Sequence, residues 1–262
     1  MKLLFLINHD IASFYALKLL LPKLSVNHSI WVWRSSQVGK GKNGISPDLE
    51  KLKSYEQCII EDSEAKLSDK SSDILEFLNS FCMEPGKVEN NINDASAISE
   101  LKKLEIELVV SIRYGKILKN DFIGMPKHGI INLHSGILPN YRGVMATFWS
   151  MLNQESEIGT TLHYIDDASI DTGPIIKISK QFLNLSNCYL SNVLKLYETG
   201  TRDVLDAINS IQQAKDIDST AVTTKGDYYT FPSQQDINDF KKLGGELVNE
   251  ARFLQFFSTF NN

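Results

Sequence analysis

Residues 132–143 read NLHSGILPNYRG, and residues 170–174 read IDTGP. The run from Gly129 to His134 is mostly apolar and β-branched, which favours a buried parallel strand over a helix. Because strand side chains alternate between faces, Asn132 and His134 are expected on the same side of the sheet. Open α/β sheets bind ligands at the carboxyl ends of their strands, so we expect a ligand site here.

A second strand-like run, from Thr160 to Ile165, leads into a loop that contains Asp171. This loop can bring a carboxylate onto the imidazole of His134. Each piece alone also has an ordinary structural explanation, since a strand-end Asn or His often caps a loop. The Asp-Thr-Gly-Pro sequence at 171–174 likewise has the composition of a turn. Only the ordered series of these motifs indicates a functional site.

Together these motifs resemble the folate-dependent formyltransferase family, which includes methionyl-tRNA, glycinamide ribonucleotide and nucleotide-sugar N-formyltransferases. The resemblance covers residues 109–176 and includes the sequences YGKIL at 114–118, LPNYRG at 138–143 and DTG at 171–173. It implies an α/β fold with a doubly wound, mostly parallel sheet, a Rossmann-like formyltransferase fold, and a small C-terminal appendage.

The resemblance also implies roles for individual residues. The expected catalytic residues are Asn132, His134 and Asp171. The expected pterin-binding wall for the co-substrate 10-formyltetrahydrofolate comprises Tyr114, Gly115, Lys116, Ile117, Leu118, Ile165, Asp166 and Asp167. The expected substrate-binding residues are His9, Tyr141, Arg142 and Gly143, although capping of the first helix by Asn8 or Asp10 explains the cluster around His9 equally well. No metal is required.

The chemistry of formyl transfer explains these residue types. An amine attacks the formyl carbon, so that the oxygen becomes negative and the nitrogen must lose a proton. Asn132 and a protonated His134 can each donate a hydrogen bond to that oxygen, and one such donor contributes about 10²- to 10³-fold in rate. Asp171 can orient the imidazolium and move the proton of the amine, directly or through water, which contributes about 10²- to 10⁴-fold.

Composition agrees with a globular enzyme. The chain has 262 residues, a net charge of -5, and 42% hydrophobic residues, enough for one α/β core plus an appendage. Its three cysteines, Cys58, Cys82 and Cys188, are scattered and favour reduced thiols in a cytoplasmic protein. The apolar start of the chain is short and is interpreted as the first central strand, not as a signal peptide, and no apolar run reaches the ~18 residues of a membrane span.

The remaining patterns alternate as a doubly wound sheet requires. Helices are predicted at 11–24, near 48–58 and 69–81, at 95–104 and at 190–211, and strands at 30–33, near 88 and at 107–112. We predict a catalytic domain over residues 1–212 and a C-terminal arm over 213–262, with helices near 234–242 and 246–260. The phenylalanine-rich stripe at 253–260 predicts burial against a partner or the parent domain. In the sugar formyltransferases that the chain resembles, such arms often form the dimer interface, so the resemblance implies a homodimer.

The choice among amine substrates rests on elimination. The first strand leads into Asn8-His9-Asp10 without a glycine-rich phosphate loop, which disfavours glycinamide ribonucleotide and dinucleotide cofactors. The acidic chain and the short arm without a basic cluster disfavour transfer RNA. The glycine- and lysine-rich loop 38–44 is interpreted as a solvated loop, with a diphosphate-binding loop as the open alternative.

The sequence thus favours an enzyme that formylates a nucleotide-linked amino-deoxysugar, as in O-antigen or other surface-glycan synthesis. Neither nucleic acid nor a membrane is expected as a partner. The alternatives are a formyltransferase for methionyl-tRNA or glycinamide ribonucleotide, a formyltetrahydrofolate hydrolase, and a non-catalytic binding module.

Overall fold

The computed structural model describes residues 1–36, 46–65, 72–84 and 86–251, and the side chains of all of these except 58–65 and 72–75. The strands are β1 (Lys2–Asn8), β2 (Ser29–Ser35), β3 (Lys87–Val88), β4 (Leu108–Ile112), β5 (Ile130–His134), β6 (Arg142–Gly143), β7 (Glu157–Tyr164), β8 (Ile175–Phe182) and β9 (Tyr228–Tyr229). The helices are α1 (Ile11–Leu24), α2 (Pro47–Ala65), α3 (Ser72–Phe81), α4 (Ala95–Leu104), α5 (Asn120–Ile123), α6 (Ala146–Leu152), α7 (Tyr189–Gln212) and α8 (Gln234–Lys242).

The central sheet has seven strands in the order β3-β2-β1-β4-β5-β7-β8. The strands from β3 to β5 are parallel, whereas β7 runs antiparallel to β5 and β8 antiparallel to β7. Helices cover both faces, which is why the central strands are apolar on both sides. In β1, for example, Leu3 and Phe5 belong to the core layer of α1 and α7, whereas Leu4 and Leu6 belong to that of α4 and α5.

The fold class predicted from the sequence is confirmed, and the bounds of α1, α4 and α8 agree with the predicted ranges. The strand predicted as parallel at 129–134 needs a correction, because β5 is parallel to β4 but antiparallel to β7. Helix α2 continues well beyond the predicted end near 58. Residues 246–249 are not helical, contrary to the predicted helix 246–260. The loop 38–44 and the stripe 253–260 lie outside the described residues.

The described part of the C-terminal arm packs on the core of the preceding residues. Ile237, Phe240 and Leu247 are buried in the same core cluster as α1 and α7. The backbone amides of the first two residues of α7 donate to the carbonyls of residues 246 and 247. These bonds satisfy N–H groups that have no acceptor within the first turn of a helix. The division of the chain at 212 stays a prediction. Among the described helices, none is long and apolar enough to cross a membrane.

A substitution at Gly200 can test how closely α7 packs on the sheet. An added Cβ would lie 2.9 Å from Thr160 Oγ1 of β7 and 3.0 Å from Leu133 Cδ1 of β5. Alanine is the better helix former by about 1 kcal/mol. We nevertheless expect Gly200→Ala to lower the free energy of unfolding by about 1–3 kcal/mol, because the helix must move away from two strands.

Urea unfolding measures this effect. The matched control is Gly124→Ala, where the nearest atom to an added Cβ is 3.5 Å away and φ is -75°, so little change is expected. A Gly200→Ala protein as stable as the wild type would show that α7 does not approach the sheet this closely.

Candidate active site

A cavity of about 460 Å³ opens where the carboxyl ends of β1, β4 and β5 meet. It is bounded by the end of β7, by the loop 165–171 that follows β7, and by part of α2. This is the edge at which open α/β sheets bind ligands.

Three of the residues singled out from the sequence meet at one corner of this cavity. Asn132 and His134 project from the same face of β5, as the alternation of strand side chains requires. Asp171 folds back over this face, and its Oδ2 lies 3.6 Å from Nδ1 of His134. The same Oδ2 accepts the backbone N–H of Gly143 at 2.8 Å.

Backbone conformation holds Asp171 in place. Its φ is +54°, in the left-handed region that non-glycine residues seldom adopt and that aspartate tolerates better than most. Gly173 lies so close to the end of β7 that an added Cβ would be 1.9 Å from the carbonyl oxygen of Tyr164. The Asp-Thr-Gly sequence therefore makes the tight return that turns the carboxylate toward the sheet.

The charge of Asp171 is stabilised by its surroundings. Burial alone would raise the pKa of this carboxyl, but His134, His163 and the Gly143 amide together lower the pKa to about 2. Asp171 is thus an anion throughout the neutral range.

The hydrogen-bond partners of His134 determine which of its nitrogens carries hydrogen. Its Nε2 lies 2.7 Å from the carbonyl oxygen of Tyr141, which can only accept, so Nε2 carries a hydrogen. A neutral ring would then turn the lone pair of Nδ1 toward the anionic Asp171. A ring with hydrogen on both nitrogens would instead direct an N–H toward the carboxylate.

His163 of β7 belongs to this corner and was not among the residues chosen from the sequence. Its Nε2 lies 3.1 Å from Nδ2 of Asn132 and 3.5 Å from Oδ1 of Asp171. The alternation of the predicted strand 160–165 places His163 on one face together with Thr161. Only the antiparallel register, which pairs Asn132 with His163, shows that this face meets Asn132.

A second polar group that sequence reasoning missed lines the cavity around Arg113. The guanidinium donates to Oδ2 of Asp10 at 2.9 Å and to Oε1 of Glu56 at 3.0 Å. Asp10 is buried and caps α1 by accepting the N–H of Ser13, which confirms the capping interpretation of this turn. Arg113 has a φ of +58°, a backbone conformation that no sequence pattern here predicts.

The two segments expected to form the pterin wall face the same cavity. Its lining includes Tyr114, Gly115, Lys116, Ile117, Leu118, Ile165 and Asp167, whereas Asp166 is not among the described lining residues. The Gly115 amide donates to Oγ of Ser35 at 3.0 Å, which ties this wall to the end of β2. The folate-binding role of these residues stays a prediction.

Of the residues expected to bind the amine substrate, Gly143 lines the cavity, whereas His9, Tyr141 and Arg142 are not among the described lining residues. The hydroxyl of Tyr141 donates to Glu155 at 2.6 Å. The buried guanidinium of Arg142 donates to the carbonyl oxygens of Ile170 and Lys225. Tyr141 and Arg142 hold the surrounding loops together, and His9 contacts Arg34. The substrate-binding role of these residues stays a prediction.

No group of three or more His, Cys, Asp or Glu side chains is arranged to hold a metal ion in the described part of the chain.

Residues 58–182 match the family model described as Formyl transferase. They include the strands β4, β5 and β7 and the whole corner around Asp171. This part of the chain is thus similar to formyl transferase domains. A methionyl-tRNA formyltransferase from Thermodesulfovibrio yellowstonii is 34% identical over 122 residues, which cover 47% of this chain and 39% of that protein.

Solved structures resemble the chain over a longer range than residues 58–182. A phosphoribosylglycinamide formyltransferase from Anaplasma phagocytophilum has a TM-score of 0.60 and 19% identity, covering 89% of this chain and 99% of that one. An N-formyltransferase from Helicobacter canadensis, in complex with folinic acid and dTDP-3-aminofucose, has a TM-score of 0.57 and 20% identity, covering 91% and 73%. At these identities the likeness shows the fold.

The ionisation of Glu56 makes the stability of the protein depend on pH. Burial raises the pKa of the Glu56 carboxyl to about 7, although Arg113 opposes the rise and Asp10 adds to it. Between the ordinary value of 4.5 and about 7, the folded protein holds a proton on Glu56 that the unfolded chain has lost. Stability is therefore lost as the pH rises through this window, by an amount on the order of 1–3 kcal/mol.

We expect Glu56→Gln to remove this part of the pH dependence, because glutamine does not titrate. Melting temperatures measured at pH 5 and pH 8 should differ less for the variant than for the wild type. The control is Glu50→Gln, an exposed position on the same helix, which should keep the wild-type difference. Equal pH dependence in the wild type and in Glu56→Gln would show that Glu56 ionises normally.

Proposed function

We propose that this protein is a folate-dependent N-formyltransferase that moves the formyl group of 10-formyltetrahydrofolate to the amine of a nucleotide-linked amino-deoxysugar. The observation that carries the proposal is the meeting of Asn132, His134 and Asp171 at one corner of a cavity whose wall includes residues 114–118. The neighbour from Helicobacter canadensis, whose structure contains folinic acid and a dTDP-linked amino sugar, supports both halves of the proposal.

Each residue of this corner has a separate role in the proposed formyl transfer. The amine nitrogen forms a bond to the formyl carbon, and the carbonyl electrons move to the oxygen. Asn132 donates an N–H to that oxygen, and the imidazolium of His134, whose Nδ1 faces Asp171, adds positive charge beside it. The bond from the formyl carbon to the folate nitrogen then breaks. The attacking nitrogen loses one proton, and the folate nitrogen gains one.

The low pKa of Asp171 indicates its part in this sequence. A carboxylate with a pKa of about 2 is a weak base at neutral pH, so it retains a proton only briefly. Its contact with His134 instead orients the imidazole and places a negative charge beside Nδ1. Asp171 is therefore assigned chiefly to orienting and charging His134, and to passing the amine proton onward.

The start of α1 supports the choice of an amino sugar over glycinamide ribonucleotide. A helix N-terminus commonly receives a phosphate. Here the α1 N-terminus is taken by the buried carboxylate of Asp10, which accepts the Ser13 amide and pairs with Arg113. A phosphate at this turn would face a buried negative charge.

The cavity also offers features that suit a nucleotide. Tyr228 is 48% exposed and lines the cavity, together with Phe231, so aromatic faces are available to a base. Both residues belong to the arm, which the proposal thus includes in the substrate site.

Methionyl-tRNA is the second candidate acceptor, because the relative from Thermodesulfovibrio yellowstonii is a methionyl-tRNA formyltransferase. The acidic charge of the chain, -5, argues against an RNA surface.

A panel of acceptors tests the substrate. The protein is incubated with 10-formyltetrahydrofolate and, separately, with nucleotide-linked 3-amino and 4-amino deoxysugars, methionyl-tRNA, glycinamide ribonucleotide and unlinked amino sugars. We expect mass spectrometry to show one formyl group gained by a nucleotide-linked sugar only. Formylation of one of the other acceptors, with the nucleotide sugars unchanged, would overturn the substrate while leaving formyl transfer intact, and folate turnover without any amine would indicate a hydrolase.

Substitutions at the corner test the catalytic assignment. We expect Asn132→Ala, His134→Asn and Asp171→Asn each to lower kcat by about 10²-fold or more, because each removes an interaction that acts on the transition state. Circular dichroism should show a folded protein. The control Asn140→Ala, at an exposed loop position, should retain wild-type turnover. Wild-type-like turnover of His134→Asn would remove that residue from the mechanism.

The homodimer also belongs to the proposal, with the arm 213–262 as its interface. Its test is light scattering of the full chain and of a chain ending at Gln212. We expect the shorter chain to aggregate or to change its oligomeric state. A shorter chain with unchanged assembly and full activity would rule out the interface.

A further inference from the structure

A mostly buried carboxyl group outside the corner around Asp171 faces the same cavity. Glu56 of α2 lines the cavity, and its side chain is 14% exposed. Its Oε1 accepts a hydrogen bond from Nη2 of Arg113 at 3.0 Å. Among the described residues, no hydrogen bond to its second oxygen, Oε2, is found, and Oε2 does not belong to the fully buried atoms that lack a partner. Glu56 therefore presents to the cavity an acceptor that no described residue uses.

Two carboxyl groups share one guanidinium at this end of the cavity. Oδ2 of Asp10 accepts from Arg113 Nε at 2.9 Å and from Asn8 Nδ2 at 2.8 Å. Oδ1 of Asp10 accepts the Ser13 amide at 2.8 Å, so protein donors satisfy both oxygens of this carboxylate. Glu56 pairs with the same Arg113 and with no other cation among the described residues. When Glu56 is ionised, this group has one negative charge that no cation balances.

The carboxylate form of Glu56 is poorly stabilised by the protein alone. Burial raises the pKa of its carboxyl to about 7, and Asp10 adds to the rise while Arg113 opposes it. Tyr189, at the start of α7, also faces this carboxyl, and the charge of Glu56 helps to raise the pKa of the Tyr189 hydroxyl. A ligand that donates a hydrogen bond to Oε2 would stabilise the carboxylate, because hydrogen bonds to a charged acceptor are stronger than neutral ones.

The place of Glu56 in the cavity limits which part of a ligand can reach it. Its partners Arg113 and Asp10 follow β4 and β1, whereas His134 ends β5. The sheet order is β1-β4-β5, and neighbouring strands lie about 4.8 Å apart. The amine of the proposed acceptor has to lie beside His134, one to two strands away from this group. A different part of the acceptor therefore meets Glu56.

The chemistry of the acceptor narrows this part further. A phosphate would be repelled by the two carboxyl groups. The base is assigned to the aromatic residues of the arm, Tyr228 and Phe231, which line the cavity. The remaining hydrogen-bond donors of a nucleotide-linked amino-deoxysugar are its hydroxyl groups.

We infer that Glu56 is a specificity-determining residue, whose open oxygen Oε2 accepts a hydrogen bond from a hydroxyl group of the acceptor substrate. The inference rests on the proposed function, because the hydroxyl belongs to the proposed acceptor. Arg113 holds the carboxyl group in the direction of the cavity, and the contact stabilises bound acceptor without touching the reacting atoms.

Glu56→Gln separates this role from the simple attachment of α2 to Arg113. Because Arg113 offers donors only, the amide oxygen of glutamine replaces Oε1, and the amide nitrogen takes the position of Oε2. The bond that holds the helix is kept, while the open acceptor becomes an uncharged donor. The matched control is Glu50→Gln, an exposed position on the same helix.

At pH 8 the carboxyl of Glu56 is ionised, and we expect Glu56→Gln to raise the KM for the acceptor by about 10-fold, because a charge-assisted hydrogen bond is lost. Both kcat and the KM for 10-formyltetrahydrofolate should stay within about 3-fold of the wild type, since the contact binds ground state and transition state alike. At pH 6 the wild-type carboxyl is protonated and as neutral as glutamine, so the two acceptor KM values should agree within about 3-fold. Glu50→Gln should match the wild type at both pH values.

Acceptor analogues identify the hydroxyl without any change to the protein. The analogues are versions of the nucleotide sugar that the acceptor panel identifies, each without one hydroxyl of the sugar ring or of the nucleoside. At pH 8 one analogue should raise the wild-type KM by about 10-fold. The same analogue should cost Glu56→Gln less than about 3-fold, because both changes remove the same hydrogen bond.

Four results would overturn the inference while leaving formyl transfer to the amino sugar intact. They are an unchanged acceptor KM in Glu56→Gln at pH 8, a loss as large at pH 6 as at pH 8, analogue effects that are equal in the two proteins, and a change in the KM for 10-formyltetrahydrofolate alone, which would place Glu56 beside the folate. A wild type that formylates none of the nucleotide sugars would overturn the proposed function, and the inference with it.

Discussion

The antiparallel register between β5 and β7 is the constraint on which the rest of the site depends. It pairs Asn132 with His163 and His134 with Thr161, so that the polar face of β5 meets an imidazole from the next strand. A shift of one residue would turn His163 to the opposite face and leave Asn132 without its partner. The parallel strands from β3 to β5 supply the ligand-binding edge, and the reversal at β7 supplies the second histidine.

Two separate groups of buried charged residues line this cavity. Asp171 lies between two imidazoles and a backbone amide, and Arg113 lies between Asp10 and Glu56. Burying such groups costs more than a hydrophobic replacement would, so stability alone does not explain them. The two units differ in their proton uptake, since the pKa of Asp171 is held at about 2 and that of Glu56 rises to about 7. One is a fixed anion, and the other titrates near neutral pH.

The arm reaches the corner around Asp171 through a short parallel ladder. β6 pairs with β9, and the Arg142 and Val144 amides donate to carbonyls of Asp227 and Tyr229. Between them, the Gly143 amide is left to donate to Asp171. An added Cβ at Gly143 would lie 2.1 Å from the Tyr229 carbonyl oxygen, and φ is +94°, so only glycine fits this approach. The arm thus supports the loop that fixes Asp171.

The sequence by itself determined the fold class, the bounds of α1, α4 and α8, and the group of Asn132, His134 and Asp171. Periodicity and an ordered set of motifs are local properties, and they carry over to the fold because hydrophobic burial and turn chemistry act over short ranges. Only the tertiary structure decided which residues these side chains contact. His163 joins Asn132 through a strand register, Arg113 joins Asp10 and Glu56 from three separate segments, and Arg142 donates to loop carbonyls. Such contacts connect residues far apart in the chain, and their geometry is set by packing that no local pattern encodes.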